Sequence, residues 1–314
     1  MISTALKHQE YHPDCTPRGF VVDVSGRAIV ALTGADAQDL LQRLSTNDVS
    51  RLRKGESTQT ILTSEKGRIV EVVSAVKLDE GRILLVGVST QSDKLVRWIE
   101  RYIIMENAKV EAATSDFSHF LIYGAQIEWD PRELQGLTEG SIVYREEWTG
   151  IRLYHSLLKA SKAEDPERIF GGFGFRIAGL NEFEEFRIFN GIPGHPNELS
   201  ELYNPLEANL GSLISWTKGC YIGQEVIARL DTYKKVQRRL RKLAFEVFPD
   251  TLPQIMYSDN GEVGVITSTV RLGNEQGFRG LGFIRVGHPE NGAEELFFHR
   301  QGKVVPVRLC DTQD

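Results

Sequence analysis

The sequence predicts an α+β protein that ends in a small β-barrel. The chain has 314 residues, which is enough for a substantial core and more than one domain. Between residues 58 and 104, strand-like runs are followed by a helix with an apolar face, an order typical of an α+β layer. From residue 241 onward the pattern is all-β, with short strands separated by Gly, Asn, Asp and Pro turns. This spacing favours a barrel of about five strands.

The N-terminal part predicts two short strands and one helix. Residues 19–30 alternate loosely between apolar and polar positions, and we expect two strands joined at Ser25-Gly26. Residues 36–44 predict a helix, which Asn47-Asp48 follows with turn chemistry. The apolar stripe of this helix is Ala37, Leu40, Leu41 and Leu44.

The rest of the chain predicts further strands and two more helices. We expect helices over 91–104 and 181–190, the latter ended by a Gly-Ile-Pro-Gly run. Residues 128–140 are polar and predict a surface excursion, and the glycine-rich run 171–174 lacks phosphate-loop spacing and predicts a turn. The expected strands are 60–63, 69–76, 82–88, 109–112, 119–123, 141–144, 151–156 and 174–177, then 241–247, 261–269, 280–285, 294–299 and 303–309 in the barrel.

Composition excludes several classes of protein. A net charge of −6 argues against a general DNA or membrane-surface binder, and the basic run 234–242 lacks interleaved stacking aromatic residues. No apolar stretch is long enough to span a membrane, and no signal peptide is evident. Three widely spaced cysteines (Cys15, Cys220 and Cys310) fit a reducing, cytoplasmic setting. None of them forms a C-x-x-C pair, and His8 and His12 lack a third ligand, so we expect no resident metal.

The most informative stretch is KGCYIGQE, residues 218–225. The residues after Gly223 predict a helix, so Cys220 is expected in a turn just before a helix N-terminus. Backbone N–H groups at that end, together with the charge of Lys218, would stabilise a thiolate. Gly219 and Gly223 indicate either special backbone conformations or close approach of a ligand. The alternative is that Cys220 is a small buried apolar group without chemistry.

Other residues around the motif carry open alternatives. Glu225 and Arg229 lie one helical turn apart, and they either pair with each other or face a ligand. Trp216 and Tyr221 are expected to be half-buried, where either side chain lines a pocket. Gln224 completes the motif between them.

KGCYIGQE resembles the signature of the folate-binding YgfZ family, within the superfamily of the glycine cleavage T-protein (aminomethyltransferase). The resemblance extends upstream to NPLEANL (204–210) and ISWT (214–217), and to LTGADA (32–37) and LLQRLSTNDV (40–49) near the start. It covers the chain from about residue 19 to the C-terminus. The eight-residue motif is specific to the YgfZ branch, whereas the N-terminal pattern is specific to the superfamily.

The resemblance implies a three-lobed cloverleaf, with two ferredoxin-like α+β lobes and the barrel around a central channel that holds tetrahydrofolate. By analogy, the first lobe comprises 1–50 and 115–240, the second 51–114, and the barrel 241–314. The implied role is support of iron–sulfur cluster assembly or repair, with the motif cysteine, here Cys220, as the reactive centre. Iron–sulfur client proteins and folate are the implied partners, and we expect a monomer.

The sister activity in the superfamily is aminomethyl transfer to tetrahydrofolate. The resemblance places Glu71 where that reaction uses an acidic residue, and it places Phe189 where the T-protein has the glutamate that anchors the pterin ring. Phe189 can stack on a ring but cannot accept its hydrogen bonds. Another acid, Glu71, Glu207 or Glu225, would then have to replace the missing carboxylate. Asn47, Glu207 and Trp216 complete the expected folate-binding set.

Three hypotheses therefore stand. The first is a YgfZ-like folate-binding maintenance factor that acts through Cys220. The second is a tetrahydrofolate-dependent aminomethyltransferase in which Glu71 is the acid–base group. The third, motivated by Phe189, is a binding scaffold that has exchanged folate for another ligand.

Overall fold

The computed structural model describes residues 19–124, 140–162, 165–271, 277–287 and 295–310. Within them the chain is α+β and ends in a closed β-barrel, as the sequence predicts. The chain divides into two compact units: Met1–Thr63, Val70–Phe183 and Leu213–Ile222 in the first, and Ser64–Ile69, Glu184–Ser212 and Gly223–Asp314 in the second. The boundaries of the three expected lobes stay a prediction. His8, His12, Cys15 and most of 128–140 lie outside the described residues.

Two five-stranded sheets form the first unit. Their order is β10-β1-β7-β9-β8 in one sheet and β3-β4-β5-β2-β6 in the other. Apolar residues from both sheets, among them Ile29, Leu84 and Leu157, share one buried cluster. The strands are β1 (Gly19–Asp23), β2 (Ile29–Thr33), β3 (Ser57–Thr63), β4 (Ile69–Asp79), β5 (Arg82–Gly87), β6 (Lys109–Ala112), β7 (Phe117–Tyr123), β8 (Ile142–Trp148), β9 (Ile151–Lys159) and β10 (Phe175–Ile177).

Three helices of the first unit place apolar residues against these sheets. The described helices are α1 (Ala37–Leu44), α2 (Ser92–Glu100), α3 (Pro166–Gly171), α4 (Leu180–Phe189) and α5 (Gln224–Thr232). Leu40 and Leu41 of α1 join Trp98 of α2 in a cluster with residues of the β3-β4-β5-β2-β6 sheet. Phe170 of α3 packs with Phe120 of the other sheet. Burial of one face therefore stabilises α1, α2 and α3 more than their intrinsic propensity does.

The second unit is built on a closed barrel with the strand order β11-β14-β13-β12-β15-β16. Its strands are β11 (Arg238–Phe245), β12 (Gln254–Ser258), β13 (Gly261–Arg271), β14 (Phe278–Arg285), β15 (Leu296–Arg300) and β16 (Lys303–Leu309). Leu243, Met256, Ile266 and Phe298 are fully buried in its core. Closure leaves no free sheet edge in the barrel.

The structure corrects several predicted elements. The strands predicted to be joined at Ser25-Gly26 lie in different sheets and do not pair. The helix predicted over 91–104 ends at Glu100, because the Glu106 carboxylate accepts the N–H groups of Ile104 and Met105 in a turn. Helix α3 and strand β12 were not predicted. No helix within the described residues is long and apolar enough to cross a membrane.

Candidate functional site

Cys220 lies in an irregular segment of the first unit, and its side chain is exposed. The alternative that Cys220 is a buried apolar group is therefore wrong. The preceding regular element is a 3-10 turn at Gly211–Leu213, and α5 begins four residues after the cysteine, at Gln224. The thiol thus sits on a loop that leads into a helix, as the motif predicts.

Lys218 anchors this loop through its ammonium group. Nζ donates to the carbonyl oxygens of Gln42 (2.8 Å), Ser45 (2.7 Å) and Asn47 (2.6 Å). An ammonium has three N–H donors, so these contacts use all of them. Burial lowers the pKa of Lys218 to about 8, with the nearby Asp48 carboxylate acting in the opposite sense. Lys218 therefore holds the loop against the end of α1, which is a different role from the direct action on Cys220 that the sequence suggested.

Backbone contacts fix the loop on both sides of Cys220. Before it, Ser215 donates its N–H to the carbonyl of Thr46 (3.0 Å), and the Thr46 hydroxyl donates to the carbonyl of Leu213 (2.7 Å). After it, Ile222 donates its N–H to the carbonyl of Arg43 (3.2 Å), and its own carbonyl accepts from the Thr63 hydroxyl (2.5 Å). The loop is consequently held at residues 213–218 and 222, while the thiol between them faces solvent.

The two glycines of the motif differ in whether the backbone conformation requires a glycine. Gly223 is the N-cap of α5 with φ +81°, a left-handed conformation that side chains rarely adopt. Gly219 has no positive φ, and a Cβ built there meets nothing within 4 Å. The described residues therefore give a backbone reason for Gly223 and none for Gly219. Close approach of a ligand at Gly219 stays a prediction.

Tyr221 in the motif and Trp216 just before it differ in their exposure to solvent. Tyr221 is buried, whereas Trp216 is 49% exposed, so the expectation that both are half-buried is wrong for Tyr221. The Lys218 ammonium lies 5.5 Å from the centroid of the Tyr221 ring, and burial raises the pKa of this tyrosine to about 12. Tyr221 is therefore part of the support of the loop, and Trp216 is the exposed aromatic surface.

Helix α5 presents the charged end of the motif. Gln224, its first residue, is partly buried, and Glu225 and Arg229 are both exposed. Among the described residues, no ion pair forms between Glu225 and Arg229. Of the two alternatives for these side chains, pairing is therefore excluded, and the Glu225 carboxylate keeps its acceptor capacity.

Glu71 is buried on β4 and is surrounded by donors. Its Oε1 accepts the N–H groups of Val72 (3.2 Å), Val88 (3.1 Å) and Ser89 (3.2 Å), and its Oε2 accepts the Ser89 hydroxyl. Burial raises the pKa of Glu71, against the hydrogen bonds that favour the anion. The carboxylate organises the end of β5, and it has no open face for a substrate within the described residues.

Glu207 is also buried and fully engaged, in the second unit. One of its oxygens accepts the Asn204 N–H (2.9 Å) and an Arg68 N–H (3.3 Å), and the other accepts from Arg238 Nε (3.1 Å). The Asn204 side chain in turn accepts the N–H groups of residues 206 and 207. This arrangement is a capping box, and the N-P-L-E sequence contained its signal.

The remaining predicted folate residues, Asn47 and Phe189, belong to different units. Asn47 belongs to the Lys218 anchor, and its side-chain amide donates to the carbonyl of Gln59 (2.8 Å) and accepts the N–H of Asp48 (2.9 Å). Phe189 lies in the second unit at the end of α4 and is partly buried. The structure therefore brings Asn47 and Lys218 into contact.

Sequence reasoning missed two buried polar networks. In the second unit, Arg187 pairs with the fully buried Glu198 (3.3 Å), which also accepts from Ser268 (2.7 Å) of β13. In the first unit, His119 contacts His155 (2.8 Å), and His155 contacts Glu146 (3.2 Å). Although burial opposes it, the charge of His155 lowers the pKa of Glu146. No spacing signal links these residues, because their partners are distant in sequence.

Comparison with known proteins first indicates the class of protein that this chain resembles. Residues 8–136 match the family described as the GCVT N-terminal domain. A crystal structure of the glycine cleavage system aminomethyltransferase T from Bartonella henselae superposes with a TM-score of 0.79 at 19% identity, covering 99% of this chain and 89% of that chain. This likeness confirms the predicted α+β and barrel fold.

Individual relatives agree with that class. An aminomethyltransferase from Halalkalibacterium halodurans is 24% identical over 95% of this chain and 87% of its own length. Another, from Natranaerobius thermophilus, is 26% identical over 87% of this chain and 80% of its own length. A putative chloroplastic transferase of Arabidopsis thaliana is 26% identical over 84% of this chain and 65% of its own length. The chain is therefore similar to aminomethyltransferases of the glycine cleavage T-protein type.

Proposed function

We propose that this protein is a folate-binding maintenance factor of the YgfZ type, which supports iron–sulfur cluster assembly or repair through Cys220. The observation that carries the proposal is the exposed thiol on a loop that Lys218 and the neighbouring backbone hold in place. A thiolate is the reactive form of cysteine, and it needs access to its reaction partner. The clients are iron–sulfur proteins, and the protein acts on them as a cytoplasmic monomer.

Binding of tetrahydrofolate requires an acid with free acceptor atoms for the donors of the pterin ring. Glu71 and Glu207 are buried, and their oxygens are already engaged by the protein's own donors. Glu225 is exposed and unpaired among the described residues, so it fits this role. Tetrahydrofolate, when bound, supplies a carrier for one-carbon groups. In this chain Glu225 would bind its donors, and Phe189 of the same unit would offer a ring face.

The primary test replaces the cysteine. Cys220→Ala should leave the fold unchanged, because the side chain is exposed, and should abolish support of iron–sulfur client enzymes in cells that lack the native protein. Cys310→Ala, in the barrel unit, is the matched control and should restore client activity. Full restoration by Cys220→Ala would remove the thiol from the mechanism.

A second variant tests whether a partner approaches the loop. Gly219→Ala adds one methyl group into open space at an ordinary φ, so we expect unchanged thermal unfolding. If a ligand or client packs on this backbone, client activity should nevertheless fall. Gly223→Ala is the contrasting variant, since its φ of +81° predicts a lower unfolding temperature. Normal client activity of Gly219→Ala would argue against close approach at this point.

The similarity to aminomethyltransferases favours a second candidate, in which this chain transfers an aminomethyl group to tetrahydrofolate with Glu71 as the acid–base group. The buried and engaged Glu71 carboxylate weighs against it. Turnover with an aminomethylated carrier protein and tetrahydrofolate separates the two candidates. Ammonia release by the wild-type protein that is lost in Glu71→Gln would favour the transferase.

Phe189 keeps a binding scaffold without folate as the remaining candidate. Calorimetric titration with tetrahydrofolate decides this point. Heat that is reduced in Glu225→Gln supports the folate site, whereas no heat at millimolar ligand would leave the scaffold.

A further inference from the structure

The barrel carries a groove that none of the foregoing functions uses. It has a volume of about 620 Å³ and lies where residues of β11, β13 and β14 adjoin. Sites for small molecules commonly measure roughly 300–1,000 Å³ and combine an apolar lining with a few polar groups. The groove therefore has the dimensions of a small-ligand site, and its lining defines the ligand.

The apolar part of the groove is formed by Val263, Val265, Phe283 and Val286. Phe283 is fully buried, and its ring stacks on Tyr203 with the centroids 3.6 Å apart. Val286 is 53% exposed. Because the Phe283 ring is covered by the protein itself, the partly buried Val265 and the exposed Val286 are the apolar surface that a hydrocarbon or aromatic body can cover.

Two arginines make the groove positive. Arg285 is exposed and has no ion pair or side-chain hydrogen bond among the described residues. Arg238 is fixed, since its Nε pairs with Glu207 (3.1 Å) and its Nη2 donates to the carbonyl of Leu202 (2.9 Å). Glu207 also pairs with Arg68 (3.3 Å), so one carboxylate serves two guanidinium groups. The excess positive charge favours an anion, and the Arg285 guanidinium is the group left to bind it.

Glu262 gives the groove an acceptor as well. Its exposed carboxylate lines the groove and forms no ion pair with Arg285. A simple inorganic anion would be repelled by Glu262 and would leave the apolar surface of Val265 and Val286 uncovered. A larger ligand that carries a carboxylate and a separate N–H donor satisfies both charged residues.

We propose that this groove binds a small aryl carboxylate that also carries an N–H donor. Arg285 binds the carboxylate in a bidentate contact, Val265 and Val286 pack against the aryl ring, and Glu262 accepts the N–H. The site is independent of the proposed chemistry at Cys220, because none of its lining residues belongs to the KGCYIGQE motif.

The test uses N-benzoylglycine, which has an aryl ring, an amide N–H and a carboxylate, with the full-length protein labelled at valine methyl groups. Titration should shift the NMR signals of Val263, Val265 and Val286. Arg285→Ala should weaken binding roughly tenfold or more, the range of one charge-assisted contact. Arg239→Ala removes an exposed arginine of β11 that does not line the groove, and it should bind as the wild type does.

The neutral analogue N-benzoylglycinamide isolates the contribution of the carboxylate. It should bind more weakly than N-benzoylglycine to the wild type, and equally weakly to Arg285→Ala. The proposal is overturned if the valine signals do not move at millimolar N-benzoylglycine. It is also overturned if Arg285→Ala and Arg239→Ala have the same affinity. Cys220→Ala should bind as the wild type does, so failure at the groove and failure of the proposed function are distinguishable.

Discussion

Lys218 shows how one side chain turns a motif into a positioned site. Its ammonium bonds three carbonyl groups at and after the C-terminal end of α1, where helix carbonyls lack partners within the helix. A cation at that end also interacts favourably with the helix dipole. Lys218 therefore satisfies buried backbone acceptors and fixes the loop that carries Cys220.

We predict that Lys218→Met lowers the free energy of unfolding by about 1–3 kcal/mol, because carbonyl groups lose their charged donor. Urea unfolding followed by circular dichroism measures the change. Lys54→Met removes an exposed lysine of the same unit and should stay within about 0.5 kcal/mol of the wild type. Equal stability of the two variants would show that the ammonium does not support the loop.

The raised pKa of Glu71 predicts how the stability of the protein depends on pH. Burial raises its pKa above the ordinary 4.5, so the folded chain keeps a proton that the unfolded chain has released. Stability from this group is present below pH 4.5 and is lost as pH rises through the folded-state pKa. We expect the wild type to lose stability relative to Glu71→Gln between pH 4.5 and 7, at no more than about 1.4 kcal/mol per pH unit.

Glu106 is the matched control with the opposite sign. The N–H of Ile104, followed by Arg43, lowers the pKa of Glu106 from 4.5 to about 2. The stability that the Glu106 carboxylate contributes is therefore present above pH 4.5 and is lost as pH falls toward 2. Urea unfolding of Glu106→Gln across both windows should differ from the wild type in the acid window. A flat difference between wild type and Glu71→Gln from pH 4.5 to 7 would contradict the raised pKa.

At the scale of helices and strands, apolar patterns predicted those elements whose apolar residues are buried in a core. The stripe of α1 identified that helix because its four apolar residues all enter one core cluster. The end of α2 escaped the pattern because the Glu106 carboxylate, six residues beyond the helix, organises the turn. Strand β12 has one buried apolar residue, Met256, so it showed no alternation.

Only part of the candidate site was predictable from the sequence. The motif identified Cys220 and predicted a turn just before a helix, and in the structure the side chain is exposed on such a loop. The anchor of Lys218 was not predictable, because carbonyl oxygens some 170 residues away carry no side-chain signal. The engagement of Glu71 by Ser89 likewise depends on the pairing of strands and not on local sequence.

The Arg187–Glu198 ion pair connects elements of the second unit, and we predict that its loss destabilises the protein. Glu198 accepts from Arg187, from the N–H of Gly194 (2.9 Å) and from Thr267 and Ser268 of β13. Arg187→Met should destabilise the protein by about 3–5 kcal/mol, because it leaves a buried carboxylate without its cation.

A double-mutant cycle tests this coupling. Glu198→Gln in the Arg187→Met background removes the uncompensated charge, so the double variant should be more stable than the sum of the single losses predicts. Urea unfolding measures all the variants. Strict additivity would mean that the pair contributes nothing beyond its separate contacts.

At the scale of the whole molecule, the second unit is discontinuous in sequence. The barrel comes from the C-terminal segment, but residues 184–212 supply partners for its outer residues. Tyr203 stacks on the fully buried Phe283, and the Leu240 N–H donates to the carbonyl of Glu207 (2.8 Å). The barrel strands alone therefore leave buried groups without cover.

We predict that fragment 223–314 unfolds at a lower temperature than fragment 184–314, because only the longer fragment retains Tyr203 and Glu207. Burial of one large side chain contributes about 1.5–3 kcal/mol, and for a domain of this size each kcal/mol shifts the unfolding temperature by about 4–8 °C. Far-UV circular dichroism should thus show a difference of roughly 10 °C. Tyr203→Ala in fragment 184–314 should remove much of that gain, whereas Ser212→Ala, at an exposed position of the same segment, should preserve it. Equal unfolding temperatures of the two fragments would show that the barrel strands close a complete core without residues 184–212.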